Sequence, residues 1–166
     1  MKKKVFTIIL LISFILVFTI ITTGCVSLFT PQIKLEIMQM LSQLGEANVE
    51  GNAEQIVIHY TDPITEINHL SENTYVTTLE DKLLELEEMM IYVDCLIDDF
   101  FNEEITVLDF NNAIVECDEH AKFQDLMEEE VFYESIDRVK LTLVKIDGDW
   151  KISIYELLSS EDVVSE

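Results

Sequence analysis

Near Glu104 the spacing of apolar residues changes from three or four to two, and that change confines the chain to a helices-then-sheet plan. Ile105–Phe110 reads as a strand and Asn111-Asn112 as a turn. Then Ala113, Val115, Cys117, Ala121 and Phe123 alternate with Glu116, Asp118, His120, Lys122 and Gln124, giving one inward apolar face and one outward polar face. Glu119 falls on the inward face. Either a bulge returns it to solvent, or it is an acid held inside. Phe132–Ile146 reads as a third strand, and Asp147-Gly148 as a two-residue turn of the type that needs positive φ. In the last strand Trp150, Ile152 and Ile154 share one face, with Trp150 reading as core. Lys151, Ser153 and Tyr155 share the other face. Residues 159–166 form an acidic, polar tail expected to fray.

Before Glu104 the signals are helical. Thr30-Pro31 offers a hydroxyl cap with proline at the first helical position. Ile33, Ile37, Leu41 and Leu44 then form one stripe, in a helix expected to reach Val49 and stop near Gly51. Asn52 with Gln55 predicts a second, short helix with Ile56, Val57 and Tyr60 on its apolar face, ended by Asp62-Pro63. Residues 62–77 carry little signal beyond a short strand at Thr74–Val76. Thr77 and Glu80 suggest a capping box opening a long helix over 79–101. Its stripe is Leu79, Leu83, Leu86, Met90, Val93, Ile97 and Phe100. The plan is therefore α+β, with N-terminal helices packed on a curved antiparallel sheet.

The first residues carry an address. Lys2, Lys3 and Lys4 form a basic head, Val5–Ile21 is apolar and uncharged, and Thr22-Thr23-Gly24-Cys25 follows. A small residue followed by cysteine resembles the lipobox of bacterial lipoproteins, with Thr22 where that family prefers leucine. The resemblance implies cleavage after residue 24, lipidation of Cys25 and a domain tied to the outer face of a cell membrane. The alternative is an uncleaved anchor through segment 5–21, near the lower length limit of about 17 residues for a span. In both cases the lysines stay in the cytoplasm. The expected organisation is a signal peptide or anchor helix at 1–24, a tether at 25–30, a domain at 31–158 and the tail.

The 166-residue chain has a net charge of −23, and removing residues 1–24 takes away three of its ten basic residues and none of its 33 acidic ones, giving −26. Such a surface repels nucleic acid. The runs Asp98-Asp99, Glu103-Glu104 and Glu128-Glu129-Glu130 lack the alternating oxygen ligands of a calcium loop, and His59, His69 and His120 are scattered. No metal or cofactor is expected. Cys95 and Cys117 lie in apolar patterns, as buried free thiols do. With four glycines in the chain there is no phosphate-cradling loop, and no catalytic triad can be assembled.

Three segments resemble the nuclear transport factor 2-like superfamily, a cone-shaped cystatin-like fold shared with ketosteroid isomerases and polyketide cyclases. They are Gly51-Asn52-Ala53-Glu54 with Tyr60-Thr61-Asp62-Pro63, the stretch from Ile105 to Val115, and the hairpin from Arg138 to Ile152. The resemblance covers about residues 31–158 and implies a conical pocket with Tyr92, Cys117, Phe123, Tyr133 and Tyr155 as lining candidates. Two functions follow as expectations. One is a non-catalytic module binding a small apolar ligand or a protein partner, with a homodimer through the sheet face as a further option. The other is an isomerase, dehydratase or cyclase using a pocket carboxylate, for which Glu119, Asp94, Asp109 and His59 are the candidates. The lack of a catalytic motif favours binding.

Overall fold

The structure, a computed structural model, describes the backbone of residues 2–127 and 131–163 and the side chains of 26–127 and 133–163. The side chains of the signal or anchor segment and of Cys25 lie outside the described residues, as do residues 128–130 and 164–166. Among the described residues, no helix is long and apolar enough to cross a membrane.

The first element is helix α1 (Lys2–Val49). It does not start at Thr30-Pro31 but runs through both, so the segment expected as a tether is helical. Proline removes one N–H from the ladder. The Thr30 hydroxyl donates to the Val26 carbonyl at 2.9 Å, a local bond compatible with a helix interior. The apolar stripe behaves as predicted, with Ile33, Ile37, Leu41 and Leu44 all buried. α1 ends at Gly51, where φ is +64°, and the N–H groups of Gly51 and Asn52 reach the carbonyls of Asn48 and Ala47 at 3.1 and 3.0 Å. Asn52 then caps α2 (Ala53–Val57), its side chain accepting from the Gln55 N–H at 3.1 Å.

Two helical expectations fail. The second helix does not reach Asp62-Pro63, because β1 (Tyr60–Asn68) begins first. Its β-branched residues suit an extended chain. Pro63 lies where the pairing of β1 shifts register, so its missing N–H interrupts no regular ladder. β2 (Asn73–Thr77) pairs back on β1, close to the predicted strand. The long helix is α3 (Leu79–Met90), capped by Thr78, whose hydroxyl accepts from the Asp81 N–H at 3.1 Å. From Val93 the chain is strand β3 (Val93–Val107). Bulges between Cys95 and Ile97 and between Phe101 and Glu104 break its two-residue alternation. Val93, Ile97 and Phe100 are thereby left at helical intervals, which explains the misreading.

β4 (Asn112–Asp125), β5 (Val131–Ile146) and β6 (Asp149–Asp162) complete a meander with β3. The Asp147-Gly148 turn has the expected positive φ values, 54° and 100°. The tail does not fray at Ser159; Ser159 to Asp162 pair with Arg138 to Ser135. The sheet has six strands in the order β2-β1-β6-β5-β4-β3, all neighbours antiparallel except β1 with β6. It is bent and unclosed. Its concave face packs on α1, where Ile37 and Leu41 share one buried cluster with Val115, Val139, Leu141, Leu143 and Ile152. The helix laid along the sheet is α1. Trp150 is core as expected, its indole N–H donating to Glu36 Oε2 at 3.3 Å.

Ser135 is fully buried on β5, and its hydroxyl has no hydrogen-bond partner. Ser135→Ala removes an uncompensated polar atom, so it is expected to leave stability unchanged or raise it by up to about 1 kcal/mol in a urea titration. A loss of more than about 1 kcal/mol would mean that the hydroxyl is satisfied in solution.

Candidate functional site

The open end of the cone is a cavity of about 370 Å³. The last turn of α1 contributes Asn48, and β1 contributes Tyr60 and Glu66. The end of α3 places Leu86, Met89 and Met90 on one wall. Asp94, Cys95 and Asp98 come from β3, Glu119 and Phe123 from β4, and Tyr155 from β6.

Glu119 is the centre of this arrangement. It pairs with Phe100 on β3 and Asp137 on β5, and neither ladder shifts register there. No bulge returns it to solvent, and the inward position read from the alternation is real. The Tyr155 hydroxyl donates to Glu119 Oε2 at 2.6 Å. Asp98 faces the same side, diagonally across the β3–β4 ladder, within reach of a long side chain. Asn48 Nδ2 donates to Asp98 Oδ2. Burial, followed by the neighbouring Asp98 charge, pushes the Glu119 carboxyl up to about 8. Burial also raises Asp98, against the Asn48 bond. The phenols of Tyr60 and Tyr155 rise for the same two reasons, burial first and then the Glu119 charge. A carboxyl held near neutrality can keep a proton and donate a hydrogen bond, or exchange that proton with a bound molecule.

The other predicted site residues scatter. Asp94 reaches the cavity from β3 rather than from a helix. Asp109 is far from it, in the β3–β4 turn, accepting from the Asn111 N–H at 2.7 Å and from Asn112 Nδ2 at 2.9 Å; these bonds hold its carboxyl low. His59 lies in the turn that follows α2, its N–H donating to the Ile56 carbonyl at 3.1 Å, and is buried there, which lowers its pKa; it faces a different hollow, beside Trp150 and Lys151. Of the predicted lining residues, Phe123 and Tyr155 line the cavity. Cys117 is buried in the core behind it. Tyr92 is mostly exposed. Tyr133 packs against Phe123 with ring centroids 5.9 Å apart. Cys95 and Cys117 are free. Cys95 sits opposite Phe123, six positions along β4 from Cys117, which is about 20 Å at strand spacing. Burial pushes both thiols up to about 12. Among the described residues no group of three or more His, Cys, Asp or Glu is placed to hold a metal ion.

Asp98, Tyr60 and Asn48 escaped the sequence reading. Asp98 was legible only as half of an acidic pair within an apolar stretch, and the bulge beside Cys95 hid which way it points.

Helices on a bent six-stranded sheet with an open-ended cavity describe a known architecture. A conserved protein from Planctomyces limnophilus superposes with a TM-score of 0.68 at 15% identity, over 80% of this chain and 98% of that one. The chain has the cystatin-like, nuclear transport factor 2-like fold. A scytalone dehydratase-like protein from Novosphingobium aromaticivorans matches this cone with a TM-score of 0.62 at 16% identity, over 82% and 92% of the two chains. A ketosteroid isomerase-like protein from Erwinia carotovora atroseptica matches with 0.59 at 13%, over 79% and 96%. No family profile matches the sequence, and no curated protein is significantly similar to it. Proteins of this cone include isomerase-like and dehydratase-like molecules and others of unknown function, so the fold by itself selects no activity.

Proposed function

We propose that this protein is a lipid-anchored module on the outer face of a cell membrane, tethered through Cys25, whose conical cavity binds a small, largely apolar molecule bearing a hydrogen-bonding group. The observation that carries this reading is the cavity itself, with apolar walls from α3 and β4 and a polar floor at Asp98, Glu119 and Tyr155. Pockets of this kind take most of their affinity from apolar burial and their orientation from a few polar groups. Native mass spectrometry of the protein purified from its own host in mild detergent is expected to show a retained small molecule, together with a diacylglyceryl mass on Cys25. The binding reading fails if the cavity is empty and a broad panel of apolar compounds produces no thermal shift. A full-length, unlipidated chain would leave segment 5–21 as the anchor instead.

A second reading, an isomerase- or dehydratase-type enzyme, draws on one observation, the elevation of the Glu119 carboxyl toward neutrality beside Tyr155. The ketosteroid isomerase-like and scytalone dehydratase-like neighbours make ketosteroids and scytalone the first compounds to try. Proton exchange next to their carbonyls, followed by NMR in heavy water and lost in Glu119→Gln, would favour this reading. Dimerisation through the outer sheet face is the less supported arrangement. That face carries the pairs Arg138–Asp118, Lys122–Glu134 and Lys140–Glu156, at 3.2, 2.9 and 2.7 Å, and burying them costs desolvation.

A further inference from the structure

Asp98 is 5% exposed, yet its Oδ1 has no hydrogen-bond partner. It lines the cavity, and its other oxygen is taken by Asn48. Buried polar atoms are ordinarily partnered, so a carboxylate oxygen left without a donor, on a side chain that lines a cavity, marks a place where a ligand donates. Glu119, the neighbouring group, is itself a carboxyl; it relieves Asp98 only by holding a proton between them.

The charges around this pair share its sign. Asp137 on β5 stands opposite Glu119, its Oδ1 accepting from the Ser160 hydroxyl at 2.5 Å. Asp99 follows Asp98 on β3, and its charge raises Asp98 further. Asp94 and Glu66 lie at the rim. Among the described residues Lys82 on α3 is the one basic residue lining the cavity, and its ammonium is held by Glu66 at 3.0 Å and Glu85 at 3.5 Å. The other titratable groups that feel the Glu119 charge are the phenols of Tyr60 and Tyr155 and the thiols of Cys95 and Cys117.

We infer that the ligand is an organic cation, an ammonium group on an apolar body, with its N–H donors directed to Asp98 and Glu119 and its body against Leu86, Met89 and Phe123. The inference rests on the cavity being a binding site, as proposed above. An ammonium has three donors, enough to serve the orphaned Asp98 oxygen and Glu119 together. The aromatic rings of Phe123 and Tyr60 in the cavity wall also favour a cation. The net charge of −23 raises the local concentration of cations. Binding would expel the proton held between the carboxyls into solvent. Affinity for a cation should therefore rise with pH as that proton becomes easier to remove.

Calorimetric titration of the full chain in nonionic detergent tests this with three probes of matched shape: phenethylammonium, phenethyl alcohol and hydrocinnamate. At about pH 8 the ammonium is expected to bind roughly tenfold tighter than the alcohol, with hydrocinnamate weakest. At about pH 6 the preference should shrink several-fold, and apparent binding heats should differ between phosphate and Tris because a proton is released. Glu119→Gln and Asp98→Asn should each reduce the ammonium preference to less than about threefold while the alcohol still binds. If a variant does not fold, the three-probe comparison and the pH dependence in the unmodified protein still decide. An alcohol that binds as tightly as the ammonium at both pH values overturns the cationic ligand and leaves the binding reading standing. Failure of all three probes, with no other apolar compound bound, overturns both.

Discussion

Gly45→Ala is expected to destabilise the protein by about 3 kcal/mol, lowering its melting temperature by roughly 10 °C. On propensity alone the opposite is predicted, since alanine in a helix interior is favoured over glycine by about 1 kcal/mol. The deciding fact is where α1 lies. A methyl group at Gly45 would sit 2.2 Å from the Asp98 carbonyl oxygen and 3.3 Å from its carbon. That neighbour is main chain of β3, fixed by pairing with β4, and no side-chain rotation can clear the space. Either α1 tilts away from the sheet, opening the cluster around Ile37 and Leu41, or β3 shifts. Both movements also displace the Asp98 carboxyl. Gln43→Ala, two residues earlier on the exposed side of α1, is the control and should change stability by less than about 0.5 kcal/mol. Thermal melts of the two variants provide the comparison, and a Gly45→Ala protein as stable as its parent would show that α1 does not approach β3 this closely.

The second large effect is on pH dependence. In the unfolded chain Glu119 titrates at its ordinary 4.5, whereas in the folded chain it does so at about 8. Between these values the folded state holds a proton that the unfolded state has released. Stability contributed here is complete at low pH and is lost as pH rises toward 8. His59 acts in the opposite direction, because its lowered pKa makes the folded state bind fewer protons below its ordinary 6.5. The Cys95 and Cys117 thiols begin to matter only above their ordinary 9.0. The clean window is therefore from about pH 6.5 to 8, where the Glu119 contribution should cost on the order of 1–2 kcal/mol, or about 5 °C in melting temperature. Glu119→Gln has no proton to lose, so its melting temperature should stay level across the window and overtake the parent near its upper end. A parent protein whose stability is flat or rises over that range would mean that Glu119 is ionised throughout.

Most of the second half of the fold was legible because its strands obey simple rules; β6 is the exception, where a register shift after Ile152 turns Tyr155 inward, away from the face it would share with Lys151 and Ser153. The alternation from Ala113 to Phe123 and the Asp147-Gly148 turn depend on local geometry, and local geometry is written in adjacent residues. What was hidden depended on longer range. β1 is short, contains Pro63 and is specified largely by pairing with a strand from the other end of the chain. β3 reads as helix because its two bulges remove the alternation that marks a strand. The cavity was half legible for the same reason. Glu119 stood out as an acid on an apolar face, but its partners Asp98, Tyr60 and Asn48 arrive from β3, β1 and α1. Only the assembled sheet brings them together.

The parallel seam between β1 and β6 has a consequence for how the molecule is made. Tyr60 pairs with Ile152 and Asn68 with Leu157, so β1 must wait for about ninety further residues before its partner exists. Tyr60 and Tyr155, from opposite sides of that seam, both line the cavity, so the cavity cannot form on a nascent chain lacking β6. A seam of such high contact order forms late and slowly. During synthesis the edge of β1 that β6 later covers would stay unpaired until the two ends of the domain meet.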